Sequence, residues 1–340
     1  MVYPFVYDCD KSIEVYDQTK KYLEETGYKV IISEFGWAYH SIGDLIPHTT
    51  ENLWSGHFFP WTESWDEIQV SFNLCQFGFY KQAIVALRGG LELGLLSVYW
   101  NLNDDGHKVV KDWLRSFSDT PPFDKVWKKI EKHPNFQSFQ QKYDIKSRLL
   151  DLGFLHDYVH GKGYSFSNFL GISKPNYQTF EPTGIDKWLN AYREIITVLC
   201  ILHLVKYPIG VINFDYFSKF GFNVPSFGGI DSSKVARLEK IVGTEIFGHI
   251  QEVSQNDPTV QDLLSWINNL PTMTREELDE QVIEMEKPMI EQLGFEKWAQ
   301  SNSHFLEDEH YRKLFELLRG WTLENGFEKP PQERDQNLAN

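Results

Sequence analysis

The sequence predicts a mainly α-helical protein, and three observations carry that expectation. Apolar residues recur at three- and four-residue spacing along most of the chain. Glycines and prolines follow those runs where helices would stop. Only one short β-branched run, Val30 to Ile32, reads as a strand.

Taken in order, Asp10 reads as an N-cap, Ile13, Tyr16 and Leu23 follow at helical spacing, and Gly27 ends the run. Trp37 to Trp61 is punctuated by Gly and Pro and reads as a long aromatic loop. Ser64 and Glu67 form an S-x-x-E pattern that predicts a helix to about Phe77, with Gly78 as its stop. A more apolar helix is expected from about Phe79 to Trp100. Its residues Ile84, Val85, Leu87, Leu91, Leu95 and Val98 leave little exposed face, which predicts a place at the centre of a bundle. Gly90 and Gly94 lie four apart on it, at a cost in helix propensity that a close helix–helix approach would justify.

Val109, Val110, Trp113, Leu114 and Phe117 mark the next helix, closed by Pro121 and Pro122. After Pro134 a long helical stretch leads to His160, and Gly161 and Gly163 stop it. Tyr164 to Thr183 is irregular and long enough to be functional. Thr183 and Asp186 restart a helix whose apolar face (Ile185, Trp188, Leu189, Tyr192, Ile196, Leu199, Val205) runs to Pro208. Beyond it the texture changes. Gly210 to Gly229 is rich in Phe and Gly, and shorter helices are expected after Ser233, after Thr244, at Asp257-Pro258 and at Thr274 with Glu277 in the box position. Glu276 to Glu286 reads as an acidic solvated face, Tyr311 to Trp321 as an amphipathic helix. The expected organisation is an N-terminal helix and aromatic loop over 1–63, a helical core over 64–208, a C-terminal helical region over 209–328 and a flexible tail over 329–340. A chain of 340 residues fits that division, since single cores stop growing near ~250–300 residues.

Composition narrows the function classes. Hydrophobic residues make up 41% and charged residues 24%, the balance of a globular chain. With 25 Phe, 16 Tyr and 11 Trp, the rings are expected mainly in packed cores and contacts. A net charge of −15 repels phosphate backbones and argues against coating of DNA, while leaving a local basic cleft open. The three cysteines, Cys9, Cys75 and Cys200, form no CxxC pair, which speaks against a thiolate zinc site and for a reducing compartment. Met1 to Asp10 lacks the pattern of a signal peptide. Ile195 to Val205 is the longest apolar stretch and too short to span a bilayer. A cytoplasmic protein with no membrane association is expected.

Two segments hold the candidate chemistry. Arg88 and Glu92 sit at i and i+4 on the apolar helix, as an ion pair fixing helix register or as part of a site. His156 and His160 share one helical face, with Asp157 about 60° from His160. They form a polar helix end, where cationic histidine is favourable, or a site. The spacing H-D-x-x-H also mimics the zinc motif H-E-x-x-H, with His156 and His160 as ligands. Asp157 is one methylene shorter than the Glu of that motif, Phe166 stands where a third histidine would fall, and no third ligand is identifiable.

The run Leu155 to His160 followed by Gly161 to Tyr164 resembles the His end of the motif of the HEPN superfamily, an Arg, four to six residues and then a His. Ala86 to Arg88 and Leu91 to Leu93 resemble the buried helix that precedes it. Glu63 to Pro208 as a whole resembles uncharacterised prokaryotic proteins with the same order of features. The motif Arg has no counterpart, because Gly153, Phe154, Leu155 and His156 occupy its positions. Arg148 lies twelve residues before His160, ~18 Å along a continuous helix and ~120° round it.

The resemblance implies a HEPN-like helical bundle and a homodimer with two sets of site residues facing one cleft. It implies metal-independent RNA cleavage, with His160 as general acid or base and Asp157 orienting an imidazole. A cation from Arg88, His156 or Lys162 would stabilise the phosphate, Glu92 would accompany Arg88, and Lys162 and Tyr164 would contact substrate. With the motif Arg missing, the resemblance favours a binding or regulatory component of a prokaryotic defence or toxin–antitoxin system. Such a component would sense RNA, a nucleotide or a partner protein. No cofactor is implied.

Overall fold

The computed structural model describes residues 8–46, 58–100, 102, 107–163, 166, 177–212, 215–221, 230, 232–306 and 309–329. Among them every regular element is a helix, so the protein is mainly α. The chain divides into two compact units, one of residues 1–213 with 226–263, the other of 214–225 with 264–340. The stretch after Pro208 therefore contributes to both.

The first unit is built on two long helices, α4 (Tyr80–Tyr99) and α10 (Pro182–Lys206), with α1 (Cys9–Glu25), α2 (Tyr28–Ser41) and α3 (Phe58–Gln76) packed around them. The expected central helix is α4, with Ile84, Leu87, Leu91, Leu95 and Val98 buried, while Val85 is exposed on its outer side. Its glycines do permit close approach. A methyl on Gly90 would lie 2.8 Å from Ile68 and 3.2 Å from the Ser64 carbonyl, and one on Gly94 would lie 2.7 Å from Leu199. Buried hydroxyls tie the layers together. Ser64 donates to the Gly90 carbonyl at 2.6 Å and lies 2.7 Å from the Tyr39 hydroxyl. Ser71 donates to the Ala83 carbonyl at 2.7 Å and accepts from the Trp188 indole at 2.7 Å. At the far end, Lys206 donates to the carbonyls of Ser97 and Trp100 and so satisfies the C-terminus of α4. α10 is apolar and long enough to cross a membrane by composition, and most of that stretch is buried among the other helices.

Several local expectations are corrected. Val30 to Ile32 lies inside α2 rather than in a strand, because Ile32, Gly36 and Tyr39 form a buried helical stripe that outweighs β-propensity. The aromatic stretch from Trp37 is helical to Ser41, followed by a 3₁₀ turn at Ile42–Leu45, and it resumes as helix at Phe58; residues 47–57 of that expected loop lie outside the described residues. Ser64 is not a cap. Its helix begins six residues earlier, with Pro60 in the first turn, and the hydroxyl is spent on tertiary bonds. The N-cap of α1 is Asp8, which accepts from the Lys11 amide, rather than Asp10.

The stretch from Pro134 to His160 is not one helix but three: α7 (Pro134–Tyr143), α8 (Ile145–Asp151) and α9 (Phe154–Val159). Asp144 breaks it with a left-handed backbone, φ 43°, and its carboxylate then caps α8 by accepting from Ser147. Before these come α5 (His107–Leu114) and α6 (Phe123–Ile130). α12 (Ser232–Val242) and α13 (Thr244–Asn256) complete the unit, with α12 against α2 and α10.

The second unit has its own small core. α11 (Phe217–Phe220) is held by Lys219, which donates to the carbonyl of Leu270, just past the end of α14 (Pro258–Asn269), whose residues from Leu264 on belong to this unit. α15 (Arg275–Leu293) opens with the expected Thr274–Glu277 capping box. α16 (Phe295–Ser301) and α17 (Glu309–Asn325) pack on it around Trp298, Phe315 and Leu318.

Candidate functional site

The short helices α8 and α9 bring part of the expected site together. α9 and α6 both lie against α4. Between them α4, α6, α8 and α9 leave a recess of about 380 Å³. Leu91 and Leu95 of α4, Phe123 and Val126 of α6, Leu149 of α8 and Leu155 of α9 form apolar walls. Arg88, Glu92 and His156 provide its polar edge. Thus three of the predicted residues, drawn from segments more than sixty positions apart, line one recess.

Arg88 Nη2 donates to Glu92 Oε1 at 2.7 Å, one helical turn away. The pair is not the buried register lock that the apolar sequence suggested. The Glu92 side chain is 56% exposed and Arg88 21%, so both reach the helix edge where the recess opens. A guanidinium carries five N–H donors, and this ion pair uses one of them.

Asp157, His160 and Lys162 lie outside the recess lining. His156 and His160 have ring centroids 4.2 Å apart and are exposed, and neither imidazole has a hydrogen-bond partner among the described residues. Asp157 was expected to orient an imidazole; its carboxylate instead meets the Lys162 ammonium at 3.2 Å. Tyr164 lies outside the described residues. Arg148 is on a separate helix from His160, so distances along one continuous helix do not apply to it, and it pairs with Glu194 of α10 at 2.7 Å. Phe166, at the third zinc-ligand position, packs edge-on against Tyr158. Among the described residues no three His, Cys, Asp or Glu side chains group as a metal site.

The buried titratable groups play structural parts. Burial pushes the thiols of Cys75 and Cys200 far up, which removes thiolate character. Burial likewise lowers His203 to about 3, against the opposing effect of its 2.8 Å bond with the Leu199 carbonyl. His203 also lies 3.2 Å from Ser97, and the ring acts as a neutral tie between α10 and α4.

Sequence reasoning missed most of the recess walls. Pro121-Pro122 reads simply as a helix stop, and Leu149 and Leu152 fall without distinction inside the helical stretch expected from Pro134 to His160. The left-handed turn at Asp144 and the break at Leu152–Gly153 separate α8, which lies against α10, from α9, which lies against α4, and residues of both line the recess. No protein-family model, no curated protein and no solved structure matches the chain.

Proposed function

We propose that this chain is a HEPN-like binding or regulatory module whose recess at α4, α6, α8 and α9 receives a base of RNA or a free nucleotide. The observation that carries the reading is the union of an apolar recess of ligand size with Arg88 and His156 at its edge. Ligand pockets typically span ~300–1,000 Å³, with apolar walls and a few polar groups that orient the occupant. Phe123 offers a face for a base, and the remaining Arg88 donors offer a phosphate contact. On the resemblance, its setting would be a prokaryotic defence or toxin–antitoxin system, with a homodimer as the assembled form.

The test is anisotropy of a short fluorescein-labelled single-stranded RNA, with ATP as competitor. Arg88→Ala removes a charged hydrogen bond worth ~1.5–3 kcal/mol, so binding should weaken ~10–100-fold. Leu150→Trp, at an exposed lining position, should block the recess without disturbing the core. Equal binding by both variants and the unmodified chain would remove the recess from the function.

A second reading, metal-independent ribonuclease, is favoured by the adjacent exposed imidazoles of His156 and His160. One could accept a 2′-hydroxyl proton while the other donates to the leaving oxygen. Cleavage that persists in EDTA and vanishes in His160→Ala would establish it; no cleavage by the unmodified chain would leave the binding module alone.

A further inference from the structure

We infer that His156 and His160 form half of a zinc-type divalent cation site, and that a second copy of this chain supplies the other half. The two imidazoles sit one helical turn apart with centroids at 4.2 Å, exposed and without hydrogen-bond partners among the described residues. Two nitrogens bound tetrahedrally at ~2.0–2.1 Å from one Zn²⁺ lie ~3.3 Å apart. In that geometry the two ring centroids stand ~5 Å apart, so the pair, at 4.2 Å, opens by side-chain rotation to take the ion. Imidazole suits Zn²⁺, Ni²⁺ and Cu²⁺ over the hard oxygen-seeking cations, which fixes the ligand class.

One chain leaves such a site incomplete. A closed structural zinc site takes four protein ligands. No third metal-binding side chain groups with the pair among the described residues, and the following stretch, 164–176, contains no His, Cys, Asp or Glu at all. Asp157, the nearest carboxylate in sequence, is paired with Lys162 at 3.2 Å. A two-fold axis through the cation would present the same histidines from the other copy, giving four nitrogens from one repeated patch. The surface beside the pair is suited to that contact. Val159 follows His156 by three residues, ~60° round α9, and is 41% exposed. A two-fold contact would bury it.

This site differs from the H-E-x-x-H hydrolase arrangement, because no coordination position is left for a reacting water. The two readings share His156 at the recess edge, and His160, which lies outside the recess lining, is the position that separates them.

Calorimetric titration of the metal-stripped full chain with ZnCl₂, paired with light-scattering mass, tests the inference. The expected result is one zinc per two chains, a monomer that becomes a dimer at saturating zinc, and reversal by EDTA. His156→Ala and His160→Ala should each lower zinc affinity by at least ~10-fold and abolish the zinc-dependent dimer, with unchanged circular dichroism. One zinc per chain at unchanged mass would overturn it. So would zinc uptake no greater than that of the double variant, or a mass indifferent to both zinc and EDTA.

Discussion

Replacing Gly78 by alanine should destabilise the first unit by ~2–5 kcal/mol, and the structure separates two contributions to that figure. Gly78 ends α3 with φ 75°, while the Phe79 amide reaches back to the Leu74 carbonyl at 2.9 Å. A residue with a Cβ pays ~1–2 kcal/mol for left-handed backbone. Space adds the rest. The new methyl would lie 2.5 Å from the Thr179 carbonyl oxygen and 2.6 Å from its nitrogen, against a normal contact of 3.4 Å or more. Both are backbone atoms, so no side-chain rotation relieves them, and overpacking of this sort costs ~1–3 kcal/mol. The displacement would spread. Gln178, next in the chain, donates to the Asp8 carbonyl and to Ser12 and so fastens the start of α1, and the Glu181 amide donates to the Tyr80 hydroxyl at 2.9 Å. Gly27→Ala is the control, since Gly27 has φ 73° and nothing within 4 Å of a built methyl. It should cost ~1–2 kcal/mol from the backbone alone. Urea unfolding followed by far-ultraviolet circular dichroism reads both. If Gly78→Ala loses no more stability than Gly27→Ala, the close approach of Thr179 is not what the glycine serves.

Three further outcomes are expected. His203, lowered to about 3 by burial, is neutral in the folded chain wherever the unfolded chain's histidine, near 6.5, begins to protonate. Its contribution is therefore full above pH ~6.5 and falls by up to ~1.4 kcal/mol per unit as pH drops toward the folded value; His203→Gln should flatten the pH 7-to-5 urea profile by that slope, and parallel profiles would refute the assignment. Ser71→Ala leaves the Trp188 indole N–H buried without its acceptor and should cost ~1–3 kcal/mol, with a cost below ~0.5 kcal/mol contradicting the tie. Trp298 is fully buried, stacked on Phe315 and bonded to Glu286 at 2.6 Å. Trp298→Ala should cost ~3–5 kcal/mol and make residues 264–329 the first to be cut in limited proteolysis; unchanged cleavage would show that this cluster does not hold the second unit.

The sequence by itself determined the helical class and the central place of the Tyr80–Tyr99 helix, because an apolar run of that length with almost no polar face has one stable setting. It also located the Gly90 and Gly94 contacts and the Thr274–Glu277 box, since each rests on bonds or spacing within one segment. Its failures share a cause. The Ser64–Glu67 pattern looks identical to a cap whether the hydroxyl meets its own helix or the Gly90 carbonyl twenty-six residues away. Val30 to Ile32 suits a strand until Tyr39 and Gly36 join Ile32 on one buried face. The histidine pair was legible from its spacing, whereas its relation to Arg88 and Glu92 was not. That relation depends on a left-handed Asp144 and a break at Gly153, which turn one expected helix into three and set the last against α4 and the middle one against α10. Periodicity records which face of a segment is apolar; only tertiary packing decides which other segment that face meets, and so where a recess forms.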